Sequence, residues 1–270
     1  MSAGAPDERP PLWFVPAGFA IGFAGALCGV GGGIFAGPLL HARGSTLRRS
    51  AATALLVVLA TTLTSSVAEV LRPDSELDLA VAVPLALGAL FGAGFGFALS
   101  QRVDERALKW AFALMLFLGG LRVLFFTTAL GGASFGPAAT VALALGIGVA
   151  GGFLTPLGIA GGVFMVPALF LCLHSLGFNG ARACALAAGA VGATRSFALH
   201  ARAGNVVFPL GWPLAVGALI GAIGGVIAAH DPILSHGGRI LLGIVLLAQA
   251  ARFLLELRQP RPTAGEESAS

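Results

Sequence analysis

Long apolar runs alternate along the chain with short polar or basic ones. The runs cover about 12–29, 50–71, 78–100, 106–128, 137–157, 181–201, 208–229 and 236–258. Most approach the roughly 20 residues that a helix needs to cross a hydrocarbon layer. Two further runs, about 33–41 and 162–173, are too short to cross at about 1.5 Å per residue, and each begins directly after a glycine cluster. The pattern predicts an all-α polytopic membrane protein. Residues 1–11 and 259–270 are polar and proline-containing and read as flexible tails. Ala24, Gly25 and Ala26 resemble a signal-peptide cleavage site, but Asp7 and Glu8 give the preceding segment the wrong charge. A second copy of the first run lies mid-chain, so the segment reads as retained.

An internal repeat organises the runs. Residues 84–93 (PLALGALFGA) match residues 213–222 (PLAVGALIGA) at all but two positions, at an offset of 129. The same offset places the cluster from Gly29 to Gly33 on that from Gly158 to Gly162, and Pro38 on Pro167; Arg122 and Arg252 correspond at 130. The chain is therefore read as two homologous transmembrane halves, 12–130 and 137–258. Each has one glycine-broken segment, re-entrant or half-helical, and three spanning helices.

Orientation follows the basic loops. The segments 41–49 (Arg43, Arg48, Arg49) and 100–109 (Arg102, Arg106, Lys109) are basic, 72–78 carries Asp74, Glu76 and Asp78, and 127–136 carries no charge. The first two are expected in the cytoplasm. If each broken segment crossed fully, the halves would be parallel. If each dips in and returns, the halves are inverted, with about ten cations inside against three outside, Arg72, Arg182 and Arg239. The second arrangement fits the charge better, and inverted repeats are a common transporter plan.

Composition narrows the function. With 57% hydrophobic residues, 10% charged and a mean hydropathy of +0.91, the chain cannot be a water-soluble globule. Its net charge of +4 is scattered, not gathered into a patch for nucleic acid. Cys28, Cys172 and Cys184 lie apart in apolar runs, which suggests neither a disulfide framework nor a metal site, and no cofactor is implied. No phosphate-binding Gly-x-x-x-x-Gly-Lys occurs, since Lys109 is the only lysine, so an ATP-driven pump within the chain is excluded. His-Glu-x-x-His is missing, the one Gly-x-Ser-x-Gly string, residues 132–136, falls in an uncharged connection with no His at membrane depth to serve it, and the chain is read as a non-enzyme.

Glycine clusters before short helices are the foremost candidate site. Irregular backbone at membrane depth is tolerated only in protein or against a cavity, and a helix amino end offers free N–H groups and about half a positive charge. Gly31, Gly32 and Gly33, with Gly161 and Gly162, read as two facing anion cradles. Thr61, Thr62 and Ser65 lie mid-helix beside Thr64 and Ser66, where hydroxyls can donate to an oxyanion; bonding back to their own helix is the alternative. Arg195 lies inside an apolar segment, where its forked donors suit an oxyanion unless it snorkels to the interface. Glu69 is expected at the interface near the end of its helix. His41 and His174 follow the two short helices in matching positions and invite a role in proton coupling.

The string GALCGVGGGIFAGPLL (residues 25–40), its second copy GIAGGVFMVPALF (158–170) and the basic loop leading into residues 51–54 (AATA) resemble the sulfite exporter TauE/SafE family from about residue 15 to 257. The resemblance implies a multi-pass protein of the bacterial inner membrane that moves small sulfur-containing anions, such as sulfite or sulfonates, outward. Ala160 stands in the second copy where the first has Gly31, so the two cradles need not be equivalent. The expectation is a secondary transporter that works by alternating access, with a small anion, the lipid bilayer and protons as its partners. A homo-oligomer is compatible with it. An anion-permeable channel or a non-transporting membrane subunit is the alternative.

Overall fold

The structure, a computed structural model, describes residues 12–43, 45–100, 136–157, 161–173 and 176–258, with seven further positions between 110 and 124. The run at 106–128, the two tails, Ala160 and His174 therefore lie wholly or mostly outside the described residues. Everything regular in the described residues is helical, with no strand among them.

In the first half, α1 (Phe14–Cys28), α2 (Gly33–His41), α3 (Leu47–Val70) and α4 (Leu79–Ser100) follow one another. The second half contributes α5 (Pro137–Leu154), α6 (Gly162–Cys172), α7 (Gly177–Arg202), α8 (Phe208–Ala229) and α9 (Pro232–Arg258). The first break is made by glycine. Gly29, Gly31 and Gly32 have φ of 79°, 70° and 76°, a left-handed conformation that costs other residues about 1–2 kcal/mol each. Gly29 closes α1 by donating its N–H to the Gly25 carbonyl. The second break is built differently: α5 tightens into a 3₁₀ turn at Thr155–Leu157, and Gly161 starts α6 with an ordinary φ of −54°.

Among the described residues, five helices are long and apolar enough to cross a membrane. α7 has the length, at 26 residues, but is built largely of Ala and Gly and is buried along most of its faces. Such a helix packs inside the bundle, where small side chains let neighbours approach. Large apolar side chains on other helices, among them Phe91, Phe95, Trp212, Ile220 and Ile227, are exposed on the outside of the bundle, as contact with lipid requires.

Two seams of small residues tie the halves together. Gly18 and Gly22 of α1 press on the backbone of Leu214 and Ala218 in α8, while Gly217 and Gly221 of α8 press on Val15 and Phe19. The second seam repeats the first: Gly88, Gly92 and Gly96 of α4 lie on Leu145, Val149 and Phe153 of α5, and Gly148 and Gly152 return the contact at Leu85 and Ala89. The matched strings at 84–93 and 213–222 are thus the α4 and α8 sides of these seams. Each half gives its first helix to the fourth helix of the other, so the halves are interlocked.

The contacts also fix the relative direction of the halves. Residue numbers rise together across both seams, so α1 is parallel to α8 and α4 to α5. Between α3 and α7, which hold the same place in the two halves, they run oppositely: Thr62 lies beside Gly189, and Glu69 bonds Arg182. Equivalent helices are antiparallel, so the repeats are inverted about an axis passing near Thr61. α2 brings the chain back toward the start of α1, where the Arg43 guanidinium lies 5.8 Å from the centre of the Phe14 ring. The first glycine-broken segment therefore dips in and returns.

Candidate functional site

The candidate residues lie around the point where the two breaks meet. Gly162, at the amino end of α6, packs directly on the Gly29 carbonyl and on Val30 in the loop that ends α1. Gly161 abuts Gly151 and Thr155, and a Cβ at Gly32 would lie 3.4 Å from the Thr61 hydroxyl. Gly31, Gly32 and Gly33, Gly161 and Gly162 are all buried. Helical bonding in α2 begins with Phe35 and Ala36 donating to Gly32, and in α6 with Phe164 and Met165 donating to Gly161. The earlier N–H groups of each first turn have no partner within their helix. The loop of the first break, at Gly29 and Val30, is thus brought against the amino end of α6 in the second, and Gly32 and Gly161 differ in backbone geometry.

α3 supplies the hydroxyls. Thr61 and Thr62 are buried and donate back to Val57 at 2.9 Å and Val58 at 2.8 Å, while Ser66 donates to Thr62 at 2.6 Å. Ser65 is fully buried, and its hydroxyl has no hydrogen-bond partner. Thr61, Ser65 and Glu69 recur at four-residue spacing and so form one stripe along α3, rising about 6 Å per step from the Gly32 end.

At the far end of that stripe is a charge cluster the sequence reading did not anticipate. Glu69, expected at the interface, is 1% exposed, and Arg182, counted among the outer loop cations, is 0% exposed. Arg182 Nη2 donates to Glu69 Oε2 at 3.0 Å, and Nη1 reaches the Ala26 carbonyl at 3.4 Å. Arg182 Nε, also buried, has no partner. His230, just past α8, places Nε2 3.2 Å from Glu69 Oε1 and donates through Nδ1 to the Val226 carbonyl at 2.9 Å. The cluster borders the first cradle, since a Cβ added at Gly29 would lie 2.9 Å from the Arg182 Cγ. Arg182 lies five residues into a helix that begins among loop-like residues, so the position alone reads as interfacial. The only sequence signal was the pairing of one isolated acid with one isolated base in otherwise apolar segments. By contrast, the exposed pair Arg72–Asp74 joins neighbours within one loop, and the hydrogen bonds from Arg72 hold the Asp74 carboxyl below the usual carboxylate range.

Arg195 stands apart. It is exposed, with its guanidinium against Gly94 of α4, 13 positions along α7 from Arg182. That separation is about 20 Å along the helix. The same end of the bundle holds a second buried imidazole, His200, which donates from Nε2 to the Pro156 carbonyl at 2.9 Å and meets the Phe97 ring edge-on. His41 is exposed and bonds Ser45. Cys28 is buried and donates to the Gly238 carbonyl at 3.4 Å, a packing contact between α1 and α9. No cluster of His, Cys, Asp and Glu suited to a metal ion occurs among the described residues.

A family model described as "Sulfite exporter TauE/SafE" matches residues 2–123 and 143–270, one segment for each half. No curated protein and no solved structure matches the chain.

Proposed function

Because the chain belongs to the sulfite exporter TauE/SafE family, a family of membrane transporters for sulfur anions, we propose that it is a secondary transporter exporting a small sulfur oxyanion, sulfite or an organosulfonate, by alternating access. One observation carries the reading: the two breaks meet in the interior, with Gly162 at the amino end of α6 packed on Gly29 and Val30 of the first break and Gly32 at the amino end of α2 beside Thr61. N–H groups and helix dipoles converging there favour an anion without burying a fixed cation at the point of contact. Gly31 shapes the first cradle, Thr62 supports it from α3, and Ser65 offers the free hydroxyl. The basic α2–α3 connection faces the cytoplasm of a bacterial inner membrane, together with Arg202 at the end of α7. Arg195, exposed toward that side, draws the anion in.

The test is counterflow of radiolabelled sulfite in proteoliposomes against unlabelled sulfite, sulfate, thiosulfate, sulfoacetate, methanesulfonate and acetate. Saturable exchange selective for a sulfur oxyanion supports the carrier. Flux linear in concentration makes the protein a channel, and no exchange of any anion by folded protein overturns the reading.

A further inference from the structure

A buried carboxylate, guanidinium and imidazole at the edge of the glycine loop take no part in the proposed cradles. Packing does not require them. The inverted repeat builds the same fold at the other end with Thr53 where Arg182 stands and Ala198 where Glu69 stands, at the offset of 129. There Thr53 is buried and accepts the Val207 N–H, with no charge involved. Buried ion pairs also stabilise little relative to apolar residues of the same volume, because desolvation offsets the attraction.

The geometry of the cluster is specific about what it lacks. A carbonyl can only accept, so the 2.9 Å contact from His230 Nδ1 to Val226 puts a proton on Nδ1. In the neutral ring Nε2 is then a lone pair, and it faces Glu69 Oε1, another acceptor, at 3.2 Å. Both atoms are buried and neither has a hydrogen-bond partner. One proton placed between them satisfies both. Arg182 is similarly half used: Nη2 is held by Glu69, Nη1 by a long contact to Ala26, and Nε by nothing, while its stem lies against Gly29 of the cradle.

We propose that Glu69, His230 and Arg182 form a joint proton and anion site, in which a small oxyanion replaces the Glu69 carboxylate on Arg182 while the carboxylate takes a proton shared with His230. This rests on the transporter reading and names its coupling. The charges balance: before binding, the cluster holds one cation and one carboxylate; afterwards it holds one cation, one bound monoanion and a protonated carboxyl–imidazole pair. Anion and proton therefore bind and leave together. Neighbouring ionisable groups are engaged elsewhere. Arg72 pairs with Asp74, Cys28 and Cys184 donate to the carbonyls of Gly238 and Asp78, and Asp231 caps α9 through the N–H groups of Ile233 and Leu234. The Asp78 carboxylate accepts the Ala80 N–H, and on α9 Arg239 and His236 contact each other at the surface.

The experiment measures binding of methanesulfonate, a monoanion at every working pH, to the purified full-length protein across a pH series, with sulfite as a second probe. One proton taken up per anion raises the wild-type Kd about tenfold for each unit of rising pH. Glu69→Gln keeps an oxygen for Arg182 but holds no proton, and its Kd becomes independent of pH and lower than that of wild type at alkaline pH. Arg182→Gln weakens binding by about 100-fold or more, as loss of a charge-assisted bond predicts. Wild-type protein that binds with no dependence on pH overturns this inference and leaves the transporter reading in place. Failure of folded wild type to bind either probe or any other anion of the panel overturns both. If Glu69→Gln does not fold, the wild-type slope still decides.

Discussion

Ser65 and Gly32 are different kinds of position in the proposed site. A buried hydroxyl with no partner costs folding free energy, so Ser65→Ala relieves a cost of about 1–3 kcal/mol if the hydroxyl has no other role. Its melting temperature is expected to equal or exceed that of wild type while the KM for the transported anion rises about tenfold. Thermal unfolding and counterflow on the same preparation check this, and an unchanged KM would remove Ser65 from the site. Gly32 has the left-handed φ of 76°, and a Cβ there would lie 2.9 Å from Ile21 Cγ2. Gly32→Leu is expected to insert into the membrane and to lose transport. Gly161→Leu should do the same for a different reason, since its backbone is ordinary but its Cβ would crowd the Gly151 carbonyl at 2.6 Å. The hydroxyls and glycines were legible because such residues stand out in apolar helices. The burial of Arg182 was not, because whether a cation near a helix end snorkels or turns inward depends on what packs around it.

At the scale of elements, the matched strings at 84–93 and 213–222 are a packing device. In both, glycines place one helix backbone against another, which is how helices associate where lipid leaves little hydrophobic drive. Gly92→Leu and Gly221→Leu occupy equivalent places, and in each the new side chain would enter the backbone of the facing helix, at Val149 and Phe19. Both are expected to abolish monodisperse protein in size-exclusion chromatography, to the same degree. Gly224→Ala, whose Cβ would make only an ordinary 3.4 Å contact with the Phe23 ring, should leave the profile unchanged. Different outcomes for Gly92→Leu and Gly221→Leu would mean that the two seams are not equivalent. Most spanning segments could be read from hydropathy alone, with ends shifted by a few residues. α7 is the instructive case: as a helix enclosed by others it has no need to be strongly apolar, so its length marks it better than its hydrophobicity.

Considered whole, the molecule is two interlocked inverted halves, and this constrains how it can move. With α1 seated on α8 and α5 on α4, the alternating access proposed above cannot shift the two sequence halves as they stand. Each moving body must combine helices of both. Inversion also gives a direct topological test. Cysteines introduced singly at Ala42 and Ala203 are expected to be labelled from one side of the membrane, and those at Pro73 and Asp231 from the other. A split within either pair would require parallel halves.

The sequence by itself determined that the chain is a helical membrane protein, that it is built from two related halves, and that glycine interrupts a helix at the corresponding place in each. These follow from run length, repetition and residue type, which are properties of the chain read in order. Relative direction, interlocking of the halves, contact between the two breaks and the pairing of Glu69 with Arg182 and His230 were decided only by the tertiary structure. Glu69 and Arg182 are 113 residues apart, and each alone is an ordinary charge near a helix end. Only packing from several helices removes both from water, and once water is gone they must answer to each other.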